Sequence, residues 1–226
     1  MRPQRTTDPA VRNDRAAMAS AASKPSRQGR EGGTRRHILD QAARLLRTSG
    51  YASTSLRDIA AAAGMKAGSL YYHFASKEAL AEIVMDEGIE FVRTAVKDAL
   101  ADRPRDSDPL EDIALAIKAH LRALRDSGDY ASANIRCFAH VPPEMRGRLR
   151  KVRERYEADW RTLIGRAREM GRLDSDIDDD ALRYGLFGVM NWTLEWLRPG
   201  GPAPDELGEM FFRIMFGGAA RAPERP

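Results

Sequence analysis

From Thr34 onward apolar residues recur every three or four positions, and no strict alternation persists long enough to make a strand. Ile38, Leu39, Ala42, Leu45 and Leu46 mark a first helix that Ser49-Gly50 closes. Ser55 and Asp58 form a capping-box start for a short second helix carrying Leu56, Ile59, Ala60 and Ala63, which ends at Gly64. A third short helix is expected from Ala67 to Phe74. Ser76 then caps a long fourth helix to about Leu100, with Leu80, Ile83, Val84, Ile89, Val92 and Val96 on its apolar side.

Arg103 to Ser107 reads as a linker. Asp108-Pro109-x-Glu111 supplies a cap, a proline at the first helical position and an acidic residue, opening a fifth helix to about Arg125. Ser127-Gly128 breaks it, and a sixth, short helix is expected from Tyr130 to Ala139. Pro142-Pro143 starts a seventh that runs to Gly171, with ten basic residues between Arg146 and Arg172. The acidic run Asp174 to Asp180 introduces an eighth helix through Leu197, which "RPGGPAP" stops, and a ninth spans Asp205 to Phe216. The expected fold class is all-α, with a three-helix domain over residues 34–80 and a larger helical bundle over 81–218.

Residues 1–33 carry seven basic side chains against three acidic ones, with hardly an apolar residue among them. Such a segment buries too little to offset its ordering entropy, so a disordered basic arm is expected, and a disordered tail over 219–226. The arm reads equally as a solvated tail or as one that touches DNA backbone. The net charge of +4 permits a polyanionic partner without requiring one. A single cysteine, Cys137, excludes an internal disulfide framework and fits a reducing compartment. No apolar run approaches the roughly 20 residues that span a bilayer, and Met1 to Ala22 lacks a secretory h-region, so the expected location is cytoplasmic, away from any membrane.

A short helix, a turn at Gly64 and a second short helix make a helix-turn-helix, whose second helix offers its N-terminal residues to base edges in the major groove. With its surroundings, "TRRHILDQAARLLRTSGYASTSLRDIAAAAGMKAGSLYYHFASKEAL" resembles the TetR (tetracycline-repressor) family of transcriptional regulators over Thr34 to Leu80. The resemblance implies a DNA-binding domain of three helices joined through the fourth to a helical domain that dimerises and holds an effector. It places Thr54 at a phosphate and Lys66, Ala67, Gly68 and Ser69 at the major-groove end of the recognition helix. Tyr71, Tyr72, His73 and Lys77 become phosphate contacts, which position a protein without reading sequence. Two residues admit a second reading: Tyr71 can pack its ring on the first helix, and His73 can be an ordinary helix-end residue.

The sequence departs from the family pattern at Lys66, where a Ser or Thr cap is usual. A lysine cannot accept from the free backbone N–H groups, so Lys66 reads guanine O6/N7 or serves as a backbone contact. Ala67 can do little more than touch a thymine methyl.

The same resemblance implies an effector pocket among helices five to eight. Its candidates are Phe91, Ile117, His120, Leu124, Phe138, Trp160, Phe187, Asn191 and Trp192, each of which also fits plain core packing. An acyl or polycyclic effector would suit so apolar a set. "HVPPEMR" and "NWTLEWLRPGGP" resemble a TetR subgroup responsive to acyl-CoA thioesters, for which Arg146, Arg148, Arg150, Lys151, Arg153 and Arg155 would meet the phosphates. Their alternation with glutamate equally fits a solvated helix face. Helices eight and nine carry too much apolar surface for one buried stripe, so a homodimer through them is expected.

The expected function is a homodimeric repressor on a palindromic DNA operator, released by a small-molecule effector. An acyl-CoA-acting enzyme and an effector-independent DNA binder are the alternatives. No G-x-S-x-G, H-E-x-x-H or Walker lysine loop is present, so no enzyme activity, cofactor or metal is expected. Cys137 reads either as a redox sensor beside Arg136 and His140 or as a buried inert thiol.

Overall fold

The computed structural model describes residues 27–198 and 200–217. Residues 1–26 of the expected arm and the whole expected tail lie outside the described residues. The chain divides into two compact units, Met1–Thr34 and Arg35–Pro226. Of the first, Arg27 to Thr34 are helical, which moves the helix start seven residues ahead of the expected one. Propagation adds a hydrogen bond for each residue fixed, so an already nucleated helix can extend ahead of its first apolar positions.

The elements are α1 (Arg27–Ser53), α2 (Leu56–Ala62), α3 (Ala67–His73), α4 (Lys77–Leu100), α5 (Pro109–Ser127) and α6 (Asp129–Cys137). A 3-10 turn (Phe138–His140) leads to α7 (Pro143–Glu169), α8 (Asp179–Trp196) and α9 (Pro204–Gly217). No strand occurs among the described residues. The capping signals act as expected. Ser55 and Asp58 exchange both bonds of a capping box, and Ser76, Asp108 and Asp178 accept from backbone N–H groups at 3.1, 3.0 and 2.8 Å. Each such cap contributes about 1 kcal/mol. Gly50, at φ 79°, breaks the helical path inside α1, and Gly64, at φ 66°, turns the chain from α2 to α3.

Two hydrophobic clusters form within the second unit. The first joins Ile38, Leu46, Ile59, Leu70, Phe74 and Leu80 to Cys137, Met145 and Leu149. The second gathers Ile113, Ile117, Leu124, Trp160, Ile164, Leu186 and Met190. Helix α6 serves both, with Ala133 and Cys137 in the first and Ala131 in the second. It can lie that close to α4 because Gly88 has no side chain: a Cβ there would meet the Tyr130 carbonyl oxygen at 2.4 Å.

Candidate nucleic-acid interface and ligand cavity

Helix α3 stands on Leu70 and Phe74, which are buried in the first cluster. With those two inward, its remaining residues must face out. Lys66, Gly68 and Ser69 are exposed, and Tyr71 and Tyr72 are 59% and 81% exposed. The two tyrosines add aromatic and hydroxyl surface to the solvent face of α3. Lys66 occupies the cap position without a side-chain capping bond, while Ser69 N–H is satisfied by the Lys66 carbonyl at 2.9 Å. The partial positive charge of the helix start and the Lys66 side chain therefore lie at the same exposed end of α3. His73 is half-buried, edge-on to the Tyr72 ring at 5.4 Å. Ala67 is half-buried against the first cluster.

Two of the expected contacts are corrected. Thr54 is 2% exposed, and its hydroxyl donates to the Gly50 carbonyl at 2.8 Å, so its proton closes the break after α1 and is not free for a phosphate. Lys77 donates to the Tyr51 carbonyl at 2.9 Å with its ammonium 4.1 Å from the Tyr51 ring centroid. The Tyr51 hydroxyl donates to Glu78 at 3.0 Å and is pushed up to about 12 by burial and by that bond. Lys77 thus fastens the start of α4 to the end of α1, a positioning role. The groove beside these residues is lined by Thr54 and Lys77 themselves, together with Ser53, Ser55, Arg57, Ala67 and Tyr71.

A cavity of about 190 Å³ opens among α4, α5, α6, α7 and α8. Ile89, Val92, Leu124, Ala131, Ile135 and Phe187 give it apolar walls. At its polar end, His120 Nδ1 lies 2.7 Å from the Tyr156 hydroxyl and Nε2 lies 3.1 Å from Asn191 Oδ1. Because an amide oxygen only accepts, Nε2 carries the proton, and the Tyr156 O–H donates to Nδ1. Burial lowers the His120 pKa to about 4, so the ring is neutral at pH 7 and the chain of three groups carries no charge.

Four of the expected pocket residues, His120, Leu124, Phe187 and Asn191, line this cavity. Five do not. Ile117 is fully buried in the second cluster, and Trp160 is buried behind the wall, its ring 5.7 Å from Phe187. Phe138 packs against the first cluster. Phe91 and Trp192 are 47% and 65% exposed. Phe91 sits one step off the α4 stripe of Gly88, Ile89 and Val92, whereas Trp192 points outward on α8 with Trp196 four residues on, two turns beyond Tyr184 at the cavity rim. Sequence reasoning missed Asn134 and Tyr156, and named Arg153 only as one of six cations for an effector's phosphates. The signal was present: Leu149, Arg153, Tyr156 and Trp160 follow one helical stripe, and three of the four are buried apolar or aromatic residues.

Cys137 is 1% exposed, donates to the Leu46 carbonyl at 3.3 Å, and burial pushes its thiol pKa up. It lacks the exposure and the thiolate character of a sensor.

The neutral His120 makes a pH prediction. An unfolded histidine titrates near 6.5, so between that value and about 4 the unfolded chain binds the proton more readily, and stability falls as pH drops through this window. Wild-type protein is expected to lose about 2 kcal/mol more than His120→Gln between pH 7 and 4.5 in urea unfolding. Asp86, raised to about 6 by burial and by Glu82, titrates with the opposite sign but is common to both proteins. Equal losses would show that His120 is protonated in the fold.

Among the described residues no helix is long and apolar enough to cross a membrane. The family description "Bacterial regulatory proteins, tetR family" matches residues 38–84, and "Tetracyclin repressor-like, C-terminal domain" matches residues 106–219. The chain is 26% identical over 200 residues to the HTH-type transcriptional repressor KstR2 of Mycobacterium tuberculosis, covering 85% of this chain and 96% of that one. The TetR family regulator PfmR from Thermus thermophilus superposes with a TM-score of 0.70 at 27% identity, over 81% of this chain and 99% of its own. AibR, solved in complex with isovaleryl coenzyme A and operator DNA, shares the fold at a TM-score of 0.72 and 23% identity, over 81% and 98% of the two chains. An outward-facing recognition helix on a buried three-helix core, with matches to the DNA-binding and the C-terminal halves alike, has one reading: the chain belongs to the TetR family of DNA-binding transcriptional regulators.

Proposed function

We propose that the protein is a homodimeric repressor that binds a palindromic operator through paired α3 helices and lets it go when a small molecule fills the cavity. The exposed Lys66, Gly68, Ser69, Tyr71 and Tyr72, raised on the buried Leu70 and Phe74, carry this reading. Residues 34–80 would be the DNA-binding domain and 81–218 the effector and dimerisation domain. Dimerisation has support in α8 and α9, where Tyr184, Trp192, Trp196, Met210 and Ile214 are 41–65% exposed and form outward stripes. An operator-binding protein works where the chromosome is, in the cytoplasm.

The route from cavity to DNA runs through α6. Its Ala131, Asn134 and Ile135 line the cavity while Ala133 and Cys137 sit in the core that supports α3. Arg136 also donates to the Arg47 carbonyl of α1 at 3.2 Å, and Tyr130 to Asp40 at 2.7 Å. A ligand that shifts α6 therefore acts on the DNA-binding core directly, and its differential affinity for the two states sets the coupling.

The cavity has the volume of roughly six waters, below the ~300 Å³ of drug-sized sites. A short acyl group fits within it, whereas a polycyclic effector would extend beyond its mouth. An acyl thioester with its nucleotide outside is a second reading, suggested by the ligand of AibR. Of the cations expected to meet its phosphates, however, Arg148 binds Glu82 at 2.7 Å and Arg155 binds Glu90 at 2.8 Å.

Gel retardation of the DNA upstream of the protein's own gene tests the reading. Lys66→Ala is expected to change base preference at one position per half-site by about 1–3 kcal/mol, and Tyr72→Phe to weaken all sequences alike. Binding that neither substitution alters would remove α3 from the interface.

A further inference from the structure

The cavity wall holds a cation that makes no ion pair with any described residue. Arg153 lies on the buried stripe of α7, where its Nε and Nη2 donate to Asn134 Oδ1 at 3.3 and 3.1 Å. Its guanidinium is 4.0 Å from the Phe138 ring centroid, and Asn134 is itself fixed by donating to the Met85 carbonyl at 2.8 Å. Among the described residues no carboxylate lies within ion-pair distance of it. Glu157, on the same wall, accepts instead from Arg183 at 2.9 Å, and Arg183 also binds Asp180 at 2.8 Å.

A guanidinium has five N–H donors, of which the Asn134 oxygen takes one from Nε and one from Nη2. The two hydrogens of Nη1 and the outer one of Nη2 have no acceptor among the described residues. Stacking on Phe138 and the bond to Asn134 hold that free edge in a set direction. Burial lowers the Arg153 pKa, opposed in part by the charge of Glu157, which approaches without an ion-pair contact. The other polar wall adds no charge, since His120 bonds Tyr156 and Asn191 in a neutral chain.

We propose that the cavity binds a small free carboxylic acid with a short chain or a single ring, its carboxylate received end-on by Nη1 and Nη2 of Arg153. The apolar body then packs against Ile89, Val92, Leu124, Ile135 and Phe187. This rests on the reading of the cavity as the effector site. A carboxylate supplies both the charge and the paired acceptors that the free edge lacks. An amide or a thioester carbonyl supplies one neutral acceptor.

Full-length protein titrated calorimetrically with straight-chain acids from butyrate to octanoate, benzoate and phenylacetate, with the matching amides and with hexanoyl-CoA, tests this. At least one acid is expected to bind at millimolar concentration or better, and about tenfold more tightly than its amide. Arg153→Gln should bring acid and amide to parity, and Arg153→Lys, which keeps the charge and loses the fork, should fall between. Both variants should unfold within a few degrees of wild type; should Arg153→Gln fail to fold, the lysine variant decides. Equal binding of acid and amide, a preference that survives in the variants, binding of hexanoyl-CoA in place of every acid, or no acid bound at all would overturn the proposal. Acids that bind through Arg153 but leave a retarded operator complex intact would sink ligand release and leave this site standing.

Discussion

Gly88→Ala is expected to destabilise the protein by about 3 kcal/mol, lowering its melting temperature by roughly 6–12 °C. In an exposed helix interior the same change stabilises by up to about 1 kcal/mol, because alanine is the better helix former. At Gly88 the sign reverses. The new Cβ would stand 2.4 Å from the Tyr130 carbonyl oxygen, 2.6 Å from its carbon and 2.9 Å from the Ala131 nitrogen. All three are backbone atoms, so no rotamer change relieves the clash and α6 must move by about an ångström. That displacement stretches the Asn134 bond to Met85 and disturbs Ala133 and Cys137 in the core beneath α3. Gly147→Ala is the control, since it lies exposed in α7 with nothing within 4 Å of an added Cβ, and it is expected to raise stability slightly. Thermal unfolding of the three proteins gives the comparison. If Gly88→Ala melts with wild type, α4 and α6 do not pack this closely.

The helices were legible because their signals are local. Ser55-x-x-Asp58, Ser76, Asp108-Pro109 and the acidic run before Ala181 each satisfy a backbone donor within three residues, so a short window contains the whole interaction. The outward face of α3 was legible for the same reason, as Leu70 and Phe74 at four-residue spacing leave Tyr71 and Tyr72 no room inward. The cavity was not. Five helices contribute to it, and whether a side chain lines the space turns on a rotation of one residue position, which separates Val92 from Phe91 on α4. Thr54 was misplaced for a related reason. Its hydroxyl turns back on Gly50, a contact created by the break in α1 and invisible to any pattern of residue types. Arg153 was hidden by company, since a row of arginines reads as solvated until periodicity shows which one shares the stripe of Tyr156.

Gly68→Ala should do the reverse of Gly88→Ala, leaving the fold untouched and removing the function. No atom lies within 4 Å of a Cβ added at Gly68, and a helical alanine is intrinsically favoured, so the melting temperature is expected to stay level or rise. What requires a glycine there must therefore lie outside the chain. Gly68 is the second residue of α3, beyond a Lys66 cap that offers no side-chain bond, and its exposed backbone is the part of the helix able to come nearest to a groove floor or a phosphate. A methyl group at that point holds the helix off by about the depth of one hydrogen bond. Operator affinity is expected to fall about 10- to 100-fold, which is about 1.4–2.8 kcal/mol, by fluorescence anisotropy at one fixed salt concentration. Ser69→Ala, losing one exposed hydroxyl without adding bulk, should cost less. Lower affinity together with an unchanged melting temperature cannot come from unfolding, so the pair of measurements isolates the interface. Wild-type affinity in Gly68→Ala would mean that the first turn of α3 never closes on DNA.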